Sequence, residues 1–520
     1  MKNYKKYIIG GMAAALLFPI GGCDNNFDDY NTNPNKSTTV TAGMLATELI
    51  LKTTLVATRG NVSSQDIPKN FMKDDMLSKY VVWAESNDID YAFNKLDRQS
   101  FSTMSILYNV EKMVGFAPES QKTAYQGLGH ILRAYKYFDM TMRVGDMPYT
   151  EAMRGEEGVK YPVYDSQESI LAGLLDELDE ADKLLKDASN FEGDPVYGGN
   201  AAQWRKAGNV LELKILLNLY KKTDYATLRI KERMQNIASN RPLFDSNDDN
   251  WQMVHSDNSG QKYPFYEEGN NYKSFPFLST TIVDLLKRYE DRRLFYYAEV
   301  TPNAQSAGAD AAQWSSYNGV EPSLIHTDIQ EKTQSGEVSS VNARYLKLPE
   351  GEPTFLLSYG EMNFILAEAV VRGLINGDAK DYYEKGVRAS MLFTATHTPD
   401  NAAYHHGMKI TDEYINAYLQ GTETAFASTA EKQIEQIILQ KYIATFLQSP
   451  FSGYMEYRRT GYPQFIINPA SNRNDPTDKM PVRWMYSQDE YNYNSESVNA
   501  AVSSQFGGVD DNNQIMWILK

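Results

Sequence analysis

Long stretches of this chain repeat apolar residues at spacings of three and four, and strand-like alternation is scarce. Over residues 124–143, Leu128, Ile131, Leu132, Tyr135, Phe138 and Met142 recur at helical spacing, which gathers them on one buried face. Gly145 and Pro148 then stop that helix. A second helix is predicted to open at Asp165-Ser166-Gln167-Glu168, a capping-box-like start with Asp165 as the cap. Its buried stripe is Leu171, Leu174, Leu175, Leu178 and Leu185. Further helical patterns cover about 201–222, 279–293, 357–372, 380–392 and 428–448. Helices joined in pairs predict a mainly α fold, a solenoid of hairpins whose stacked repeats bury one continuous core. No strict period of roughly 34 residues can be laid over the chain. Two loop-rich regions interrupt the helices, at about 61–101 and about 240–350. Loops this long are functional or disordered, and their aromatic content favours folded structure.

The N-terminus reads as an address. Lys2, Lys5 and Lys6 precede an uncharged, mostly apolar run from Ile8 to Ile20, about as long as a secretory h-region and too short for a typical membrane-spanning helix. The run ends in Ile20-Gly21-Gly22-Cys23, which resembles a bacterial lipobox. Residues 1–22 are therefore expected to be a lipoprotein signal peptide, with Cys23 the lipidated residue and 23–40 a tether. The alternative is cleavage elsewhere, leaving a free thiol. Asp24, Asp28 and Asp29 in the tether are either solvated linker residues or a surface-export tag, as in Bacteroidetes lipoproteins. Residues 41–520 are expected to form a single domain.

Composition narrows the chemistry. The 520-residue chain has 51 Lys and Arg against 67 Asp and Glu, a formal charge of −16. Loss of the leader, which holds three Lys and no acid, leaves −19. Such a balance argues against nucleic acid as a partner, because phosphate backbones need clustered cations. One cysteine excludes an internal disulfide, a Cys-rich zinc site and a Cys-x-x-Cys redox centre. There is no His-Glu-x-x-His, phosphate loop or Gly-x-Ser-x-Gly elbow. The His405–His406 pair lies in a polar stretch and is read as a solvated loop. Residues 245–250 have oxygen donors at alternate positions, but lack the sixth-position glycine and the final acid of a calcium loop. They are read as an acidic loop. No cofactor or metal is expected, and no carboxylate pair is marked out for catalysis.

Several segments together resemble the SusD/RagB family of nutrient-binding outer-membrane lipoproteins. Gly129-His130-Ile131-Leu132-Arg133-Ala134-Tyr135 leads into Gly145-Asp146-Met147-Pro148-Tyr149-Thr150-Glu151-Ala152, similar to the family's long helix and its Gly-Asp-x-Pro-Tyr-x-Glu-Ala turn. Trp204 to Leu211 and Tyr383 to Met391 resemble two further family helices. The longest match runs from Gln440-Lys441-Tyr442 to Arg458-Arg459-Thr460-Gly461-Tyr462-Pro463. Pro481-Val482-Arg483-Trp484 and Trp517 agree with its C-terminal part, and Asn31-Thr32-Asn33-Pro34-Asn35 with the stretch after its lipidated cysteine. Residues 240–350 carry no family wording. The resemblance implies a tetratricopeptide-like helical framework bearing an irregular ligand-binding region. It also implies a binding protein, not an enzyme, anchored to the outer membrane and facing outward. The implied partner is a SusC-like TonB-dependent transporter, and the ligand an oligosaccharide or, in some members, a peptide. A surface glycoside hydrolase is the reading from another class.

A sugar offers an apolar face and a rim of hydroxyls, which aromatic rings and Asn, Asp or Arg side chains can meet. The 36 Tyr against 21 Phe suit such wet aromatic surfaces. Candidates come from the loops. Trp83, with Asn87 and Tyr91 after it, is either a stacking platform or a packed ring. Trp314 and Tyr317 look exposed and polar-flanked. Trp251, Tyr266 and Tyr272 follow, the last two flanking Glu267, Glu268, Asn270 and Asn271. Trp204 reads as core. Arg458 and Arg459 could meet an acidic sugar, but ion-pair or helix-end roles are favoured.

Overall fold

A computed structural model describes residues 40–55, 66–449 and 451–520. The leader, Cys23 and nearly all of the tether lie outside the described residues. Thr41–Lys520 forms one compact unit, and it is mostly helical. The framework helices are α1 (Ala42–Thr54), α2 (Ile67–Leu77), α3 (Tyr108–Gly115), α4 (Lys122–Val144), α5 (Gln167–Leu185), α6 (Ala201–Asn218) and α7 (Ile230–Asn240). After the loop-rich region come α9 (Tyr359–Val371), α10 (Ala379–Thr396), α11 (Ala430–Ala444), α12 (Ser452–Thr460) and α13 (Ser495–Phe506). Within that region, α8 (Thr280–Arg288) answers the first part of the pattern expected over 279–293.

The frame is a row of packed helices. α4 lies against α5, α5 against α6, α6 against α9, and α9 against both α10 and α11. α4 spans 23 residues, about 34 Å of rod. Its stripe of Leu128, Ile131, Leu132 and Phe138 is buried as the spacing requires. Gly127 lets α5 come close, since a Cβ there would meet Leu185 at 2.5 Å. Gly145, at φ +91°, ends α4 in a conformation that favours glycine. The true cap of α5 is Ser166, whose hydroxyl accepts the Ser169 N–H. Asp165 is not the cap: its carboxylate takes the N–H groups of Tyr149 and Thr150 instead (3.0 and 2.8 Å). That bond ties the Gly-Asp-x-Pro-Tyr turn to the start of α5.

Buried ion pairs fasten the helices across the row. Lys214 of α6 and Lys441 of α11 both meet Glu361 of α9 (2.9 and 3.2 Å). Lys441 also pairs with Glu456 of α12 (2.7 Å). Arg459 holds Glu368 of α9 through both oxygens (2.6 and 2.7 Å) and reaches Glu456. Burial alone would raise the Glu456 carboxyl, yet the Arg459 and Lys441 charges hold it down to about 2. Arg459 is thus a structural cation; its neighbour Arg458 donates to the Val482 carbonyl (2.8 Å).

Among the described residues, three short two-stranded ladders join the loop-rich regions to one another and to the chain beside them. β1 (Val81–Trp83) pairs antiparallel with β4 (Pro276–Leu278), in register Val82 to Phe277. β2 (Arg98–Gln99) pairs parallel with β6 (Met485–Tyr486), and β3 (Trp251–Met253) antiparallel with β5 (Thr354–Leu357). Beyond the main core, Val82, Phe93, Val320, Ile329 and Val338 close a small second core, with Phe277 and Leu324 packed against it. The loop-rich body is therefore folded around residues of its own.

Candidate functional site

The predicted ligand residues part company in the structure. Trp83 is 2% exposed and Trp251 and Tyr317 are fully buried, so none of the three presents a ring face to solvent. Each polar tip has an internal partner, as burial demands. Trp83 Nε1 donates to Glu85 Oε2 (3.1 Å), Trp251 Nε1 to Thr54 Oγ1 (2.9 Å), and Tyr317 OH to the Ala311 carbonyl (2.7 Å). Trp251 sits edge-on to Trp204 in the main core (5.0 Å). Trp314, expected to be exposed, is half-buried against Phe295 (4.6 Å). Tyr91 is half-buried beside Phe451 and accepts from Trp484 Nε1 (3.1 Å).

Two places on the loop-rich body remain open. The first is a ledge where β1 ends. Tyr272 and Phe275 are half-buried and lie 5.8 and 5.9 Å from the Trp83 ring. Tyr272 OH donates to Asp66 Oδ1 (3.2 Å), and Lys69 Nζ lies 5.8 Å from its ring centre. Lys69 also pairs with Asp88 (3.1 Å), while Asn87 beside it is exposed. The Ser86 hydroxyl, aided by Lys69, keeps the Asp88 carboxyl below its usual range. Partly exposed rings, an ammonium, a carboxylate and an amide thus share one rim. Tyr266 lies in the same loop, with Lys262 Nζ 5.0 Å from its ring centre. The ledge combines stacking faces with hydroxyl-binding groups, the pairing a sugar needs.

The second is a cleft of about 350 Å³ whose lining includes Phe277, Glu299, Val300, Pro302, Ser340 and His406. His406 is held at φ +49° at the end of the short helix Ala402–His405, a strained backbone for a non-glycine residue. Its ring packs edge-on to Tyr317 (5.8 Å). His405 is buried and His406 half-buried, so the pair is not a solvated loop. Asn342 Nδ2 lies 3.3 Å from His406 Nε2, and also 3.1 Å from the Phe295 carbonyl and 3.2 Å from the Tyr404 carbonyl. Burial lowers the His406 pKa, which favours the neutral imidazole. Glu299 Oε1 accepts the Ala343 N–H (2.6 Å), and Oε2 faces His406 Nε2 across 3.7 Å. Burial raises the Glu299 pKa, against the Ala343 N–H. Tyr317, through its bond to Ala311, braces the cleft wall from behind.

A family profile described as "Starch-binding associating with outer membrane" matches residues 34–487. The chain belongs to the SusD-like family. A SusD homologue of Bacteroides fragilis has 42% identity and a TM-score of 0.87, covering 92% of this chain and all of that one. A second from the same species has 36% identity and a TM-score of 0.81, covering 93% and 100%. A chitin-binding SusD homologue from Flavobacterium johnsoniae, at 20% identity and TM-score 0.70, covers 92% and 98% and shares the fold. None of the curated proteins matches. The family is one of nutrient- and carbohydrate-binding proteins associated with the outer membrane. Among the described residues of this SusD-like chain, no helix is long and apolar enough to cross a membrane. In the acidic loop read from the sequence, the Lys206 ammonium pairs with Asp245 and Asp249 (2.7 and 2.9 Å), taking the place a cation would.

The site residues that periodicity missed are Phe275, Phe277, Lys69 and Glu299. Phe275-Pro276-Phe277-Leu278 carries a short alternation that could have marked a strand. Glu299 carries no sequence signal; only the return of residues 340–343 and 406 beside it makes it part of a cleft.

Proposed function

We propose that this SusD-like protein is a lipid-anchored, outward-facing binding subunit. It captures oligosaccharides and passes them to a SusC-like TonB-dependent transporter. Family membership over nearly the whole chain carries the reading. The ledge of Tyr272 and Phe275, with Asn87, Asp88 and Lys69 around it, supports a glycan as ligand. Cys23 holds the protein to the outer membrane, and the acidic tether beside it serves export. The protein binds and hands over without cleaving.

Calorimetry of the purified mature chain against a panel of oligosaccharides and peptides tests this. The expected result is glycan binding with no product released over hours. Replacement of Tyr272 by Ala should weaken glycan binding about tenfold, the loss of one stacking ring, with the melting temperature nearly unchanged. Peptide-only binding would replace the ligand class, and turnover would overturn the reading altogether. Trp83→Ala is a poor probe, because it opens a cavity in the core and unsettles β1.

A further inference from the structure

The cleft around Glu299 has an electrostatic asymmetry that the ledge lacks. Glu299 Oε1 is satisfied by the Ala343 N–H, but Oε2 stands 3.7 Å from His406 Nε2, beyond hydrogen-bond reach. Burial favours the neutral form of that imidazole, so it offers Glu299 no full charge. Among the described residues, His406 is the only basic group within ion-pair distance of Glu299. The half-buried carboxylate therefore has no full positive charge beside it, and a cation placed there would be favoured. The rest of the lining is suited to a small ring. Phe277, Val300, Pro302 and Val338 can cover an apolar face, and Gln305 and Ser340 can meet hydroxyls. Its volume of about 350 Å³ sits at the low end of the roughly 300–1,000 Å³ usual for small-ligand pockets.

Resting on the glycan reading above, we propose that this cleft is a subsite for a hexosamine ring whose ammonium pairs with Glu299 Oε2. The glycans captured then carry free amino groups. The ammonium supplies the missing donor to Oε2. Bringing a cation beside Glu299 also reverses the effect of burial on its carboxyl. The formal charge of −16, or −19 without the leader, draws such polycationic glycans to the surface from a distance. Neutral or N-acetylated rings fit the walls but leave Oε2 unpaired.

Calorimetric titration of the mature chain with matched trimers of glucosamine, N-acetylglucosamine and glucose tests the assignment without any variant. The glucosamine trimer should bind at least about tenfold more tightly than the other two, as one charge-assisted contact provides. In Glu299→Gln, whose amide oxygen still accepts the Ala343 N–H, that preference should vanish. Equal affinity for the three trimers overturns the proposal, as does a preference that survives in Glu299→Gln. If none of the three binds but another glycan does, the hexosamine subsite fails while the glycan reading stands. If no glycan binds at all, both fall.

Discussion

Burial pushes the Asp146 carboxyl up to about 7, although the Gln167 N–H and the Arg483 charge favour its ionised form. Its ordinary value is 3.8, so between about pH 4 and pH 7 the folded chain keeps a proton that the unfolded chain has released. Stability from this group is complete below about pH 4 and is lost as pH rises through 7. Asp146→Asn should keep the bond from Gln167 (2.7 Å) and remove that part of the slope. Melting temperatures of the two proteins should converge at low pH and separate, with the variant higher, toward pH 7. The same scale explains the aromatic candidates. A tryptophan in a loop-rich stretch flanked by polar residues reads alike whether its ring faces water or core. What decides Trp83 and Trp251 is the partner for Nε1, Glu85 in one case and Thr54 in the other, and Thr54 lies 197 positions away. For Trp83 the rings that cover it, Tyr272 and Phe275, are almost as distant in sequence, and no local pattern contains that information.

At the level of elements, the ion-pair chain linking α6, α9, α11 and α12 is more than decoration on apolar packing. Arg459 separates Glu368 from Glu456, and these two carboxylates repel when it is absent. Arg459→Ala should therefore cost about 3–5 kcal/mol in urea unfolding. The helices themselves were legible, because one-sided burial writes a period into the sequence: the stripe predicted for 124–143 is the core face of α4. Where the pattern misled, a backbone or polar feature interrupted it. The helix expected over 279–293 stops at Arg288, since Glu290 takes φ +49° and Asp291 turns inward to Arg293 (2.6 Å). α2 lies in a stretch whose pattern reads as loop, because Asp74 and Asp75 are buried among its apolar residues and blur its stripe. Tyr266, Tyr272 and Asn87, singled out in the sequence by residue type, lie at least partly at the surface. Glu299 and His406 were not found as a pair, because their meeting is purely tertiary.

At the scale of the whole molecule, the described residues pack into two cores of unequal size. The main one runs through the helical row, and the small one of Val82, Phe93, Val320, Ile329 and Val338 sits under the loop-rich body. Ile329→Ala should lose about 2–5 kcal/mol of packing at that spot. Hydrogen exchange should speed up in residues 320–338 while α4, α5 and α6 keep their protection, as expected of a locally opening unit. Uniform loss of protection across the helices would show instead that the two cores unfold as one. The strand residues Phe275 to Phe277 serve both open places: Phe275 stands on the ledge, and Phe277 lines the cleft while packing on the small core. A glycan long enough to lie on the ledge and enter the cleft would press on both ends of one three-residue segment. Length of ligand, and not only its chemistry, then becomes something this protein can measure.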